Sequence, residues 1–221
     1  MKFYAVNGSP RKKNNTAILL QEALDGVKSV QAKDAETELI HLYDYNYKPC
    51  VSCFQCKLLD GKSYGQCALN DELTPILKKL AEADGIIFGS PIYLGNITGG
   101  MRSFFERFLF QYLVYDAAYS SLAPKRMPTA FIYTMGVSEA RMGEFGYQSA
   151  LKYIEMFLER ILAKPDIMYC CDTYQFDDYA KYKADAFSEP AKAAHRDLQF
   201  PFDRSHAFQI GAKVCRRSLS Q

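Results

Sequence analysis

Apolar and polar positions along the chain fall into two alternating rhythms. Short apolar runs occur at 3–6, 38–43, 86–88, 129–134 and 166–171, and between them apolar residues recur every three or four positions. The runs predict strands and the recurrences predict amphipathic helices. Ala17, Leu20, Leu24 and Val27 predict a helix from Thr16 to about Lys28. Leu73, Ile76, Leu77 and Leu80 predict a second, opened by Asp71, Glu72 and Pro75 and ending before Asp84-Gly85. Met101, Phe104, Phe105, Phe108, Leu109 and Tyr112 predict a third with Thr98 as its N-cap. Leu151, Ile154, Phe157, Leu158 and Ile161 predict a fourth, from about Gly146 to Ala163. A mixed polar stretch at 174–204 is expected to hold short helical pieces, and 206–217 a terminal helix.

Strands alternating with helices predict an α/β fold, a doubly wound five-stranded parallel sheet. Ile86-Ile87-Phe88 is apolar without a break, as a central strand covered on both faces must be. The 38–43 run alternates and has polar flanks, which suits a sheet edge, and His41 within it reads as a strand residue with a satisfied ring. Residues 29–37 read as a polar link, 44–70 as an ordered irregular stretch and 115–127 as a loop. In the order 2-1-3-4-5 the switch point lies between strands one and three, so ligands gather where loops 8–16, 91–98 and 134–138 meet.

The first of these loops carries the most chemistry. Gly8 lets the chain turn after the strand, Ser9 and Thr16 bring hydroxyls, Asn14 and Asn15 amides, and Arg11, Lys12 and Lys13 positive charge. A helix starting near Thr16 points free N–H groups into the same space, so the loop reads as a phosphate cradle. A solvated basic turn would read the same way from this loop alone. The spacing lacks both the second Gly and GK pair of a P-loop and the G-x-G-x-x-G of a dinucleotide site. A mononucleotide phosphate fits better.

Composition adds bounds. With 221 residues, 48% of them hydrophobic, one domain over 1–221 is expected, with a cysteine-rich loop at 44–70 and a C-terminal extension at 174–221. A formal charge of +2 predicts no nucleic-acid or membrane partner, and Met1-Lys2 leading straight into a strand predicts a cytoplasmic protein. Sixteen Tyr and fifteen Phe suit an aromatic pocket and a core equally.

Four of the seven cysteines crowd into Cys50-x2-Cys53-x2-Cys56-x10-Cys67. In a cytoplasmic chain this favours metal, cluster or redox chemistry over a disulfide framework, and C-x2-C-x2-C lets a short loop wrap a cubane cluster. A [4Fe–4S] cluster, zinc and structural thiols all remain open. Cys170-Cys171 should face opposite sides of a buried strand end, and Cys215, beside Arg216 and Arg217, reads as a surface or interface thiol.

Gly8-Ser9-Pro10-Arg11 with Asn15-Thr16, Ser90-Pro91-Ile92-Tyr93 with Thr98-Gly99 and Arg102, and Thr134-Met135-Gly136 together resemble the NAD(P)H-dependent FMN reductase and iron–sulfur flavoprotein branch of the flavodoxin-like superfamily, over about residues 3 to 171. The resemblance implies FMN, with Ser9, Arg11, Asn15 and Thr16 on the phosphate. Pro91, Ile92, Tyr93, Leu94, Gly95 and Asn96 would run along the isoalloxazine, and Thr134, Met135, Gly136 and Val137 would border its other side. It further implies NAD(P)H as co-substrate, a flavin, quinone or similar small acceptor, and a homodimer or higher homo-oligomer. Flavin N5 would carry the chemistry, with no catalytic side chain. Cys50, Cys53, Cys56 and Cys67 resemble the compact motif of iron–sulfur flavoproteins, with a longer gap to the fourth cysteine. This leaves an electron carrier between partner proteins as the alternative, and a flavin-storage or sensor module as a third reading.

Overall fold

The computed structural model describes residues 1–31 and 34–220. Its strands are β1 (Lys2–Asn7), β2 (Glu36–His41), β3 (Gly85–Tyr93), β4 (Asn96–Ile97), β5 (Thr129–Thr134) and β6 (Asp166–Cys170). Its α-helices are α1 (Asn15–Val30), α2 (Leu73–Ala81), α3 (Gly99–Phe108), α4 (Glu139–Glu144), α5 (Tyr147–Ile161) and α6 (Glu189–Leu219). The main sheet is parallel in the order β2-β1-β3-β5-β6, the expected doubly wound path, with β4 paired antiparallel to β3 as a side strand.

Both faces of the sheet are covered, which is why the middles of its central strands are unbroken apolar runs, with polar residues only toward their ends. Phe3, Ala5, Ile87, Ile132, Met168 and Cys170 face a layer formed by α1 and α6. Tyr4, Val6, Ile86, Phe88, Phe131 and Tyr133 face α2, α3 and α5. Neighbours such as Ile86 and Ile87 thus part to opposite faces, following the two-residue period of a strand. Cys170 and Cys171 part in the same way, Cys170 into the first layer and Cys171 against the second. Phe104, Phe105 and Phe108 of α3 pack on Phe88, so the aromatic helix is core.

The structure differs from the expected elements in several places. β2 starts two residues earlier than the 38–43 run, and Leu42–Asp44 turn into a single 3-10 turn; its edge position is as expected. The polar link of 29–37 is shortened from both sides by α1 and β2, and residues 32 and 33 lie outside the described residues. β3 runs on to Tyr93 instead of ending at Phe88, and α4 was not expected. The polar stretch after 188 is continuous helix: α6 spans 31 residues with Pro201 inside it. A proline there removes one backbone bond at a cost of about 3 kcal/mol. Burial of Ile210 and Val214 offsets it, at roughly 1.5–3 kcal/mol each. Cys215 is fully buried in this layer, not a surface thiol; burial pushes its pKa up, against an opposing pull from Arg216.

α6 reaches α1 at backbone distance. A Cβ on Gly211 would lie 1.7 Å from the Ala23 carbonyl oxygen, and one on Gly26 1.9 Å from that of Phe208. Only glycines allow this crossing. Gly211→Ala is expected to destabilise the fold by at least ~1–3 kcal/mol, because the helices must separate. Gly143→Ala in α4, where an added Cβ meets nothing within 4 Å, should be neutral or stabilising by up to about 1 kcal/mol. Urea unfolding of the two variants checks both signs.

Candidate functional site

β1 delivers the first loop to the carboxyl edge of the sheet. Gly8 is glycine there because of a close approach, not a left-handed turn: a Cβ would come within 2.8 Å of Met101 Cβ and 3.2 Å of the Gly89 carbonyl oxygen. Its N–H donates to that carbonyl at 2.8 Å, and its own carbonyl accepts from Thr98 Oγ1 at 2.7 Å. Ser9 is buried, with its N–H on Asn7 Oδ1 (2.9 Å) and its Oγ accepting the Arg11 N–H (3.1 Å). Asn7 in turn meets His41 Nδ1 at 2.9 Å, so the His41 ring is satisfied; burial lowers its pKa, with Asp44 opposing.

The N-terminus of α1 closes this loop. Its cap residue Asn14 makes no side-chain capping bond and no carboxylate stands in the first turn, so the positive end of the helix dipole is left for an anion. Thr16 is buried with its Oγ1 2.7 Å from Thr134 Oγ1, a direct tie between the first and third loops. Arg11 and Asn15 border the loop and donate to the carbonyls of Gln175 and Tyr174.

β3 and β4 form a hairpin where the second loop was expected. Ile92 pairs with Ile97 and Tyr93 with Asn96, leaving Leu94 (φ 51°) and Gly95 (φ 78°) as a two-residue turn. Two positive φ values match the twist of paired strands, and asparagine or glycine is the usual choice at the first. Leu94 instead holds a strained conformation while fully exposed, with Tyr93 half exposed beside it. Strain of this kind, of order 1–3 kcal/mol, gathers at ligand-facing positions.

The third loop follows β5. Thr134 and Met135 are buried, Gly136 and Val137 half-buried. The Gly136 carbonyl accepts from Lys192 of α6, whose buried ammonium also pairs with Asp172 at 2.5 Å. The three loops are thus bonded to one another through Gly8, Thr98, Thr16 and Thr134.

The cysteine stretch docks on the C-terminal end of α3. Cys50, Cys53, Cys56 and Cys67 line one cavity with Arg107, Phe110 and Gln111, and all four thiols are free. Ser52 (φ 52°) and Phe54 (φ 55°) alternate with the cysteines and turn the chain around the cavity. Lys57 bonds the carbonyls of Phe110, Gln111 and Leu113 in and just after the 3-10 turn that follows α3, and Gln111 Oε1 accepts the Cys67 N–H at 2.9 Å. Burial raises the pKa of Cys56; Lys57 opposes this and the other three thiols add to it. Among the described residues no group of three or more His, Cys, Asp or Glu is gathered closely enough to share one metal ion.

Residues 1–174 match the family model described as NADPH-dependent FMN reductase. The chain belongs to that family. An iron–sulfur flavoprotein of Methanocaldococcus jannaschii is 39% identical over 107 residues, 48% of this chain and 51% of its own length. The chain spans about half the length of the curated relatives it matches. Among solved structures, an NAD(P)H:quinone oxidoreductase from Methanothermobacter marburgensis superposes with a TM-score of 0.68 over 97% of this chain and 98% of its own, at 13% identity. An FMN-dependent NADH-azoreductase from Bacillus anthracis, in complex with FMN, gives 0.66 over 97% and 100%, also at 13% identity. At that identity the likeness shows the fold, which is flavodoxin-like.

Several polar residues of this FMN reductase family member escaped the sequence pattern. Lys192, Asp172 and Gln175 reach the third loop from the C-terminal stretch, and no local signal marks them. Arg107 and Gln111 did leave a signal: they follow Phe104 at helical spacing, on the stripe that the apolar residues of α3 occupy. Arg107 meets Asp71 at 2.5 Å.

Burial pushes the Asp71 carboxyl up, and bonds from Arg107 and the N–H groups of Lys48 and Leu73 outweigh it, so its pKa ends below the ordinary value. That contribution to stability is fully present above about pH 4, the unfolded carboxylate value. It is lost as pH falls through the lower folded value. The stability gap between the native protein and Asp71→Asn should therefore hold from pH 7 to about pH 4 and shrink below it, in unfolding titrations at several pH values. Thr98→Val removes both the α3 cap and the bond to Gly8, and is expected to cost ~1–2 kcal/mol in the same assay.

Proposed function

We propose that residues 1–221 act as a single flavodoxin-like FMN-binding domain whose bound flavin takes a hydride from NAD(P)H and reduces a flavin, quinone or similar small acceptor. The observation that carries this reading is the convergence of three strand-end loops beside the uncapped start of α1. The donors fit a phosphate monoester: the first N–H groups of α1, the hydroxyls of Ser9 and Thr16, the Asn15 amide and the Arg11 guanidinium. Arg11 and Asn15 can swing from the carbonyls they now meet, since both sit at least partly in solvent. Pro91, Ile92, Tyr93, Leu94, Gly95 and Asn96 would lie along one edge of the isoalloxazine. Thr134, Met135, Gly136 and Val137 would lie along the other.

Bound FMN would supply hydride acceptance at N5 and electron release to the acceptor. The protein's own part is to bind, orient and exclude water, and no side chain is needed as acid or base. The exposed Leu94 and Tyr93 are the apolar cover for the ring. A groove of ≈ 1010 Å³ beside α3, lined by Cys50, Asn96, Arg102, Phe105 and Tyr153 among others, has room for a planar aromatic acceptor. The exposed Val51, Phe54, Leu58 and Leu59 supply an apolar face for pairing with a second copy.

A second reading rests on the cysteine cavity: an iron–sulfur flavoprotein that carries electrons between partner proteins. Cys50, Cys53, Cys56 and Cys67 line one cavity without converging on one point. A [4Fe–4S] cluster asks for that spread, because each thiolate takes a different iron. The chemistry of four thiols in a loop bent by two left-handed residues fits the group.

Protein purified without oxygen and mixed rapidly with NADPH or NADH tests both readings. Bleaching of the flavin bands by either nucleotide is expected; flavin that stays oxidised with both would sink the reductase. Iron and acid-labile sulfide near four per chain are expected of the second reading, and their absence removes it.

A further inference from the structure

Arg107 is 1% exposed on the buried side of α3, and the hydrogen-bond partners of its guanidinium all come from the cysteine stretch and its flank. Nη1 donates to the Asp71 carboxylate at 2.5 Å and the Lys48 carbonyl at 3.2 Å, and Nη2 to the Leu69 carbonyl at 3.3 Å. Nε donates toward Sγ of Cys67 at 3.3 Å.

Burying a cation costs several kcal/mol unless it is paired, and Asp71 with two carbonyls already meets that demand. The Nε bond is additional. A neutral thiol is a weak acceptor, whereas a guanidinium, which keeps its proton at any working pH, bonds best to an anion. The sulfur it addresses lines the cavity shared with Cys50, Cys53 and Cys56. A lysine would offer a point charge; the planar fork serves the carboxylate, the carbonyls and the sulfur at once.

We propose that Arg107 is a positioning residue that holds Cys67 as a thiolate ligand of an iron–sulfur cluster and raises the cluster's reduction potential through its N–H···S bond. The inference rests on the cluster reading given above. Reduction adds one electron and no proton, increasing the negative charge on the ligand sulfurs. A fixed donor and a buried positive charge beside one of them favour the reduced state, and hydrogen bonds to sulfur are an established lever on cluster potential.

The test compares native protein with Arg107→Lys, which keeps a cation for Asp71 and loses the Nε donor. Both are purified without oxygen, assayed for iron and sulfide, and titrated with dithionite while the reduced cluster is followed by electron paramagnetic resonance. Equal iron with a lower midpoint potential in the variant is the expected result. Equal potentials in two iron-loaded proteins would overturn the inference, and so would a folded variant without iron, which would make Arg107 a support of the loop only. Should Arg107→Lys not fold, the Arg107→Gln/Asp71→Asn pair buries no unmatched charge and must show the same downward shift. Native protein free of iron and sulfide would overturn the cluster reading, and this inference with it.

Discussion

The peptide at Gly8 is held from two sides: its N–H by the Gly89 carbonyl and its own carbonyl by Thr98 Oγ1. That junction joins β1, β3 and the start of α3, and it closes only because neither a Gly8 Cβ nor a longer side chain stands between the loop and Met101. Thr98 serves twice, since the oxygen that donates to Gly8 also accepts the Met101 N–H and caps the helix. The entry of α3, the direction of the first loop and the place of the hairpin therefore depend on the same few atoms. The Thr16–Thr134 bond extends the junction to the third loop.

Much of this was legible in the sequence because local and global demands agree. β5 falls on Thr129–Thr134 as its apolar run indicates, and α3 begins after Thr98 as a capping threonine indicates. The path of the sheet followed from alternation and from the unbroken apolarity of 86–88. Where two demands conflict, the pattern misleads. Gly89 and Pro91 read as the start of a loop, yet β3 continues through both. Gly89 is small because Leu20 and Thr16 of α1 pack against it, at 2.8 and 2.9 Å from where a Cβ would be. Leu42 and Tyr43 read as strand, yet the chain has already turned there.

The C-terminal region was the least legible. Residues 189–204 are polar on most sides, so no apolar stripe announces a helix, and Pro201 argues against one. Continuity there comes from the far end, where Ala207, Ile210, Val214 and Cys215 bury against α1 and β3. Lys192 touches the third loop only because that long helix runs back across the carboxyl edge of the sheet. A contact made across such a distance in sequence leaves no trace in any local window. The position of Arg107 was visible as a charge on an apolar stripe, but its meaning needed Asp71 and Cys67, which the loop brings to it from 36 and 40 residues away.

Helix α3 begins at the junction of the three loops and ends under the cysteine cavity. Ten residues at 1.5 Å each make it about 15 Å long. With its first turn bonded into the sheet edge, its last turn anchored by Arg107 and the residues just after it held by Lys57, it is fixed at both ends. Electron tunnelling decays exponentially with separation, so if flavin and cluster sit at its two ends as proposed above, a fixed rod of this length would make the rate between them a property of the scaffold. Hinge motion would have little to modulate. Any control over the direction of electron flow would then fall to the energies of the two ends.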